Sequence, residues 1–367
     1  MNKKEILNII NTLASVRAPS GMEKSRGDLF KKEMERFLTD KDIPVKTDKL
    51  GNYFVKFKGT TGKKSIAILA HIDEIGGTVR VIKKKGTLEF SKRGGYEGRW
   101  LISQRVKILN NDGKWINGII SGRSTHSTPN KLRVKELIDP LELEIYIGAN
   151  NKDEVQNEYK IHIGAPIVFS GDFGLLNPDI NENIIAGYSM DNLAALTCSI
   201  ILTKKIVQSI VDEFGTIRIP YNLYIVATTR EEIGTEGAFY FLKNNPIDAV
   251  IAIDIGLVAD FPGSIKSNIK LNNGPVIVWQ DSMGKGIYDY EMCKKITVVA
   301  EKNNIPYQNG VFEMYGSDAG KAQKWLGIPS VLIGIPVKFS HNVPEITSIS
   351  QIEAAAELIL HYIKSLK

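Results

Sequence analysis

Four short, nearly unbroken apolar runs constrain this chain most: KSIAILAHID (64–73), YNLYIVATT (221–229), AVIAIDIG (249–256) and PSVLIGIPV (329–337). A strand that is apolar at every position has no face to offer to water, so these runs predict strands of one sheet covered on both sides. Helical spacing of apolar residues separates them, over roughly 192–210, 235–244, 288–302 and 319–325. A last helix carries Ile352, Ala355, Ala356, Ile359, Leu360 and Ile363 on one face, with Ser348 and Gln351 spaced as a capping box. Two more helical patterns open the chain on either side of Ala18-Pro19-Ser20-Gly21. Strands alternating with helices predict an α/β layered fold.

From about Gly76 to Pro178 the pattern changes to short alternating strands with frequent turn residues, such as GTVRVIKKKGTLEF and RVKILNNDGKWINGIISG. The expectation is a β-rich domain over 76–178, inserted into an α/β domain built from 1–75 and 179–367. At 367 residues two domains are the natural reading. The 47 Lys and Arg against 41 Asp and Glu are scattered rather than gathered into a stripe, which argues against a nucleic-acid partner. No apolar run reaches membrane-spanning length and no signal peptide is visible at Met1, which argues against a membrane partner. Cys198 and Cys293 form neither a disulfide framework nor a thiolate metal motif, which suits the cytoplasm.

The polar residues gather where the apolar runs stop. His71 ends the first run, and Asp73, two residues on, returns to the same side of an extended chain. It is placed to accept the ring N–H that a metal-bound His71 would leave free. Glu231 and Glu232 follow the second run, Asp254 lies in the third, and His341 follows the fourth. Asp191 stands in GYSMDNLAAL, where a helical pattern begins. Each has a plain structural alternative: a His–Asp pair at 71 and 73, an N-cap at Asp191, acids near a helix N-terminus at 231 and 232, and loop solvation at 254 and 341. All of these alternatives would have to coincide at one edge of one sheet. Two histidines and several carboxylates without a thiolate make a nitrogen and oxygen donor set suited to Zn²⁺, Co²⁺ or Mn²⁺. Paired metals about 3.5 to 4 Å apart, bridged by a carboxylate, are a recurrent hydrolytic device. Adjacent residues on an extended chain point to opposite sides, so Glu231 and Glu232 are expected to do different jobs.

At these residues the sequence resembles the tetrahedral (TET) aminopeptidase family, the dodecameric metalloaminopeptidases that include glutamyl and deblocking enzymes. The resemblance spans the chain through APSG, AHIDEIGG, SMDN, EEIGTEGA, IDIG, IPYQ, GSDAG and GIPVKFSH followed by VPEI. It implies a mixed sheet sandwiched between helices, of the di-metal exopeptidase type, with the insertion serving as a β-rich dimerisation domain. It further implies that His71 and Asp254 bind one metal, Glu232 and His341 the other, and that Asp191 bridges both. Glu231 would be the general base or acid, and Asp73 the carboxylate that orients His71. Two divalent ions per subunit, Zn²⁺ or Co²⁺ before Mn²⁺, would act on short peptides. Dimers would assemble into a hollow tetrahedral dodecamer.

Two positions depart from the family: Leu193 follows the Asp191-Asn192 pair where Arg is common, and Glu236 stands where a basic residue is frequent. These leave the implied ligands in place and bear on charge balance, substrate preference and assembly. The other readings are a related di-metal deacylase or carboxypeptidase, a catalytically impaired shell protein, and a glycosidase (endoglucanase), which would leave both histidines idle. His126, in SGRSTHST, reads as a surface-loop residue, and His162 and His361 as structural or surface residues. GDFG at 171–174 lacks the other kinase motifs, and GTTGKK from Gly59 lacks the spacing of a phosphate-binding loop.

Overall fold

A computed structural model describes residues 1–122, 139–214, 216–261, 264, 267–282 and 286–366. His126 lies outside the described residues. The chain enters a sheet through β1 (Lys46–Thr47), β2 (Tyr53–Phe57) and β3 (Ser65–His71). It then forms β4 (Gly76–Ile82), β5 (Leu88–Arg93), β6 (Arg105–Leu109), β7 (Trp115–Ile120), β8 (Glu144–Tyr146) and β9 (Pro166–Ser170) apart from that sheet. It returns through β10 (Gly174–Asn177), β11 (Asn181–Gly187), β12 (Asn222–Thr228), β13 (Ala249–Val258), β14 (Val276–Asp281), β15 (Gly286–Ile287), β16 (Gln308–Val311), β17 (Ser330–Lys338) and β18 (Glu345–Ser348).

The four apolar runs are β3, β12, β13 and β17. They lie side by side in the order β12-β3-β13-β17 and are parallel throughout, at the middle of a mixed sheet that has 12 strands among the described residues. Every residue of β3 and β12 is buried, the burial expected where helices cover both faces. The helix Met190–Ile210 lies on β13 and β3 and packs against Lys3–Ala14, Lys24–Leu38 and Ile349–Ser365, the last of which also lies on β17. It is long and apolar enough by composition to span a bilayer, but 72% of its most apolar window is packed inside the protein, which makes it a core helix. Asp318–Leu326 packs on β17 and β13 beside Glu236–Asn244. Parallel alignment brings the C-terminal ends of the central strands to one edge, the usual place for a site in an open α/β sheet.

Strands β4 to β9 close into a barrel in the order β4-β5-β8-β7-β6-β9, around its own core of Phe90, Val106, Ile108 and Ile145. Among the described residues the short helices Gly98–Leu101 and Lys152–Asn157 and the 3-10 turn Pro140–Glu142 interrupt it. β10 already pairs with β11 in the large sheet, so the chain rejoins that sheet before residue 178.

Two local expectations fail. Ser348 precedes the last helix but makes no side-chain cap bond. Its hydroxyl accepts from Asn183 Nδ2 at 2.7 Å, while Gln351 accepts the N–H of Gly274 at 2.6 Å. Both side chains serve long-range contacts that spacing cannot reveal. His162 lies in an exposed loop before β9 rather than in a strand, and His361 is half-buried.

Candidate metal centre

β3 ends at His71, beside Thr228 at the end of β12, with which it is paired in register. The chain beyond it, Ile72 to Glu74, is fixed from below by Arg26. That buried guanidinium donates to the carbonyls of Ile72 (2.9 Å) and Val16 (3.2 Å) and pairs with Glu74 at 3.1 Å. An arginine so enclosed is held by fixed partners, and it fixes them in turn.

Asp73 is more than a partner of His71. Its Oδ1 lies 3.5 Å from His71 Nδ1, and its carbonyl 3.2 Å from the same nitrogen. It also accepts the backbone N–H groups of Glu231 (3.0 Å) and Glu232 (3.2 Å) and the hydroxyl of Ser20 (2.7 Å). Burial alone would raise its pKa, but the hydrogen bond and charge of His71, together with the hydrogen bonds from Ser20 and the Glu231 amide, outweigh burial and hold it below the usual carboxylate value.

Glu231 and Glu232 are not on an extended chain, so simple alternation does not apply to them. The backbone leaves β12 at Thr228, turns left-handed at Arg230 (φ 56°), and carries both glutamates in a turn that ends at Gly234 (φ 138°). The two carboxylates still face different charges. Glu231 is desolvated among His71, Asp318, Asp254 and Glu232, and its pKa is raised well above the normal value, first by burial. Glu232 is raised to about 7 by burial, with His341 opposing and Asp191 reinforcing the shift.

Asp191 lies between the two histidines. Its Oδ1 is 3.0 Å from His71 Nε2 and its Oδ2 is 3.3 Å from His341 Nε2. His71 Nε2 also lies 3.8 Å from Asp254 Oδ1, and His341 Nε2 lies 3.5 Å from Glu232 Oε2. Burial would raise the pKa of Asp191, but hydrogen bonds from both imidazoles drive it far below the usual range. Burial would lower both histidines, yet the surrounding carboxylates raise them well above their ordinary value: Asp191 and Asp73 around His71, Glu232 and Asp191 around His341. Asp254 is raised well above its ordinary value by burial and by Asp191. Asp191 does not cap the helix it opens. Its dihedrals and those of Asn192 are non-helical, and Asn192 Oδ1 takes the cap-type bond from the N–H of Ala195 at 3.2 Å.

All seven residues singled out from the sequence, His71, Asp73, Asp191, Glu231, Glu232, Asp254 and His341, therefore meet at one edge. Donor atoms of His71, Asp191 and Glu232 lie within 4.8 Å of one another. Glu232 Oε1 is buried with no hydrogen-bond partner. Buried carboxylates that outnumber the imidazoles, an orphaned oxygen among them, and a donor set of nitrogen and oxygen fit divalent cations. With the Nδ1 proton of His71 directed at Asp73, Nε2 is the nitrogen left to face such a cation.

Other groups at the site were not singled out from the sequence. Glu345 is buried, accepts the N–H of His341 (2.8 Å) and of Asp191 (3.1 Å), and is pushed up to about 8 by burial and by Asp191. Asp318 accepts from the Thr228 hydroxyl at 2.6 Å, leaves Oδ1 unpartnered, and is raised to about 6 by burial. The carbonyl of Gly95, from the turn after β5, accepts from His341 Nδ1, so the barrel orients this imidazole. Gly94 supports that turn at φ 87°, a conformation that favours glycine. The only hints in the sequence were the motifs VPEI and GSDAG. Of the two departures, Leu193 is completely buried in the main core, and Glu236 pairs with Arg230 at 3.0 Å on the surface.

Known proteins resemble the chain over its whole length. A putative aminopeptidase from Acetivibrio thermocellus is 29% identical over 99% of this chain and 100% of its own. The structure of a TET aminopeptidase from a marine-sediment Thaumarchaeota archaeon superposes with a TM-score of 0.89 at 28% identity, covering 100% of this chain and 98% of that one. A TET1 peptidase from Pyrococcus horikoshii that can assemble into a tetrahedron or a large octahedral shell superposes with a TM-score of 0.80 at 26% identity, over 98% of this chain and 100% of that one. Residues 51–358 match the family described as M42 glutamyl aminopeptidase, and the chain belongs to that family.

Proposed function

We propose that this protein is an aminopeptidase that removes N-terminal residues from short peptides with two divalent metal ions, Zn²⁺ or Co²⁺ before Mn²⁺. The observation that carries this reading is the division of Asp191: one carboxylate oxygen faces His71 and the other faces His341, at 3.0 and 3.3 Å. In this reading His71 and Asp254 would hold one ion, Glu232 and His341 would hold the other, and Asp191 would serve both. Bound divalent ions supply Lewis acidity that acidifies a water and polarises a peptide carbonyl.

The rest is the work of the chain's own groups. Glu231 takes a proton from the attacking water and returns it to the nitrogen of the leaving amine. A carboxylate that coordinates metal loses proton affinity, so base and ligand must be separate residues. Burial beside Asp318 and Asp254 raises the proton affinity of Glu231 in the metal-free protein, and bound cations would bring it back down toward the range a general base needs. Asp73 keeps His71 in the orientation that presents Nε2, and its bonds to the 231 and 232 amides keep base and ligand in one rigid turn.

The assembly follows from the same reading. The barrel serves as the dimerisation domain, and dimers build a tetrahedral dodecamer, as the relationship to shell-forming peptidases supports. Exposed Ile119 and Tyr146 give the barrel an apolar surface suited to that contact. The two buried free thiols suit a cytoplasmic location.

The test is Glu231→Gln. It is expected to retain both metal equivalents while turnover on free-amino-terminus peptides falls by at least ~100-fold, the scale of general acid–base catalysis. Near-normal turnover removes Glu231 as the base. Hydrolysis of N-acylated peptides in preference to free ones would favour a deacylase over an aminopeptidase.

A further inference from the structure

We propose that Glu345 is a positioning residue for the metal centre. Its two carboxylate oxygens clamp the backbones of Asp191 and His341 and so fix the span that one ion must share between them. The proposal rests on the two-ion reading given above.

Glu345 opens β18, and its Cα is paired in register with Gly187 at the end of β11, four residues before Asp191. β17 ends at Lys338, three residues before His341, and β18 pairs with it antiparallel. Glu345 therefore stands between the two chain segments that deliver Asp191 and His341. Its Oε2 accepts the N–H of Asp191 at 3.1 Å, and its Oε1 accepts the N–H of His341 at 2.8 Å. Neither N–H serves a regular element: Asp191 has non-helical dihedrals, and His341 sits at φ 59° in a loop. The side chain is 2% exposed, so water does not take its place.

A carboxylate is an acceptor at both oxygens, and that property suits two converging N–H donors. A glutamine of the same shape offers one acceptor and one donor, so its NH₂ group would face one of the two amides. Aspartate keeps the charge but is one methylene short. The far side of His341 is already fixed by the Gly95 carbonyl at Nδ1. Glu345 and Gly95 together leave Nε2 one direction, toward Asp191 Oδ2 and Glu232.

The experiment uses metal-free protein titrated with Co²⁺ by calorimetry and by its absorption bands, for wild type, Glu345→Gln and Glu345→Asp. Wild type is expected to bind two equivalents. In E345Q one equivalent weakens about 10- to 100-fold, as when a ligand's hydrogen-bonding partner is lost, with altered Co²⁺ bands for that equivalent. The other equivalent keeps His71 and Asp254 but shares Asp191, so it should weaken less. E345D should fall between, and it carries the test if E345Q does not fold. Two wild-type-like equivalents with unchanged bands in the variants, or equal weakening of both, overturn the clamp alone. A single equivalent in wild type overturns the two-ion reading and the clamp with it.

Discussion

Removing the metal should make the protein's stability fall as pH rises, with Glu232 as a measurable contributor. Its side chain is 4% exposed, and its pKa is raised from 4.5 to about 7. The folded protein then holds a proton that the unfolded chain has released, so stability is greatest below the unfolded value and declines as pH climbs toward 7. A shift of about 2.5 units corresponds to roughly 3 kcal/mol at ~1.36 kcal/mol per unit. With an unfolding entropy of about 2.1 cal/mol/K per residue, this is a Tm change of roughly 4 °C for a chain of this length. His71 and His341, both raised, act in the same direction above their unfolded value. Asp191 and Asp73, both lowered, contribute stability that is lost only as pH falls toward their folded values, below the window of interest.

Calorimetric melting of chelator-treated protein between pH 5 and 8 provides the assay, with Glu232→Gln as the reference. Wild type should lose roughly 3 °C more than E232Q across this range, because at pH 5 part of the ~3 kcal/mol linkage term is already gone. Added Zn²⁺ or Co²⁺ should reverse the trend in wild type, because metal displaces protons from the same groups and binds more tightly at high pH. Parallel melting curves for metal-free wild type and E232Q would refute the electrostatic reasoning.

Two further substitutions probe the site and its surroundings. Asp73→Asn removes the charge that orients His71 and turns an NH₂ group toward one of the two backbone N–H donors of Glu231 and Glu232. Metal affinity should fall about 10- to 100-fold, read by equilibrium dialysis, and unchanged affinity would reduce Asp73 to a structural role. Glu236→Gln breaks only the exposed pair with Arg230, so Tm should correspond to a loss of less than about 1 kcal/mol and kcat should not move. A large loss in kcat would place Glu236 in the chemistry.

The central sheet was legible because β3, β12, β13 and β17 are buried on both faces and so carry apolar residues without interruption. The polar residues at their ends were legible for the complementary reason: a charge beside such a strand needs a purpose or a partner. Glu231 and Glu232 were separated into two roles by an alternation that the turn after Thr228 does not obey; their different surroundings come from tertiary neighbours. Glu345, Asp318 and the Gly95 carbonyl were hidden because each reaches the site from a strand start, a helix start or a turn whose position depends on distant packing. The barrel's hold on His341 through Gly95 spans 246 residues of sequence, and no local pattern encodes it. Ser348 and Gln351 teach the converse, since a capping-box spacing was spent on contacts to Asn183 and Gly274.

The most direct measurement is the anomalous diffraction of crystals grown with Zn²⁺ or Co²⁺. The division of Asp191 predicts two peaks about 3.5 to 4 Å apart. One should be liganded by His71 and Asp254, the other by Glu232 and His341, with one Asp191 oxygen on each and Glu231 bound to neither. A single peak, or two peaks that Asp191 does not bridge, would contradict the proposed centre.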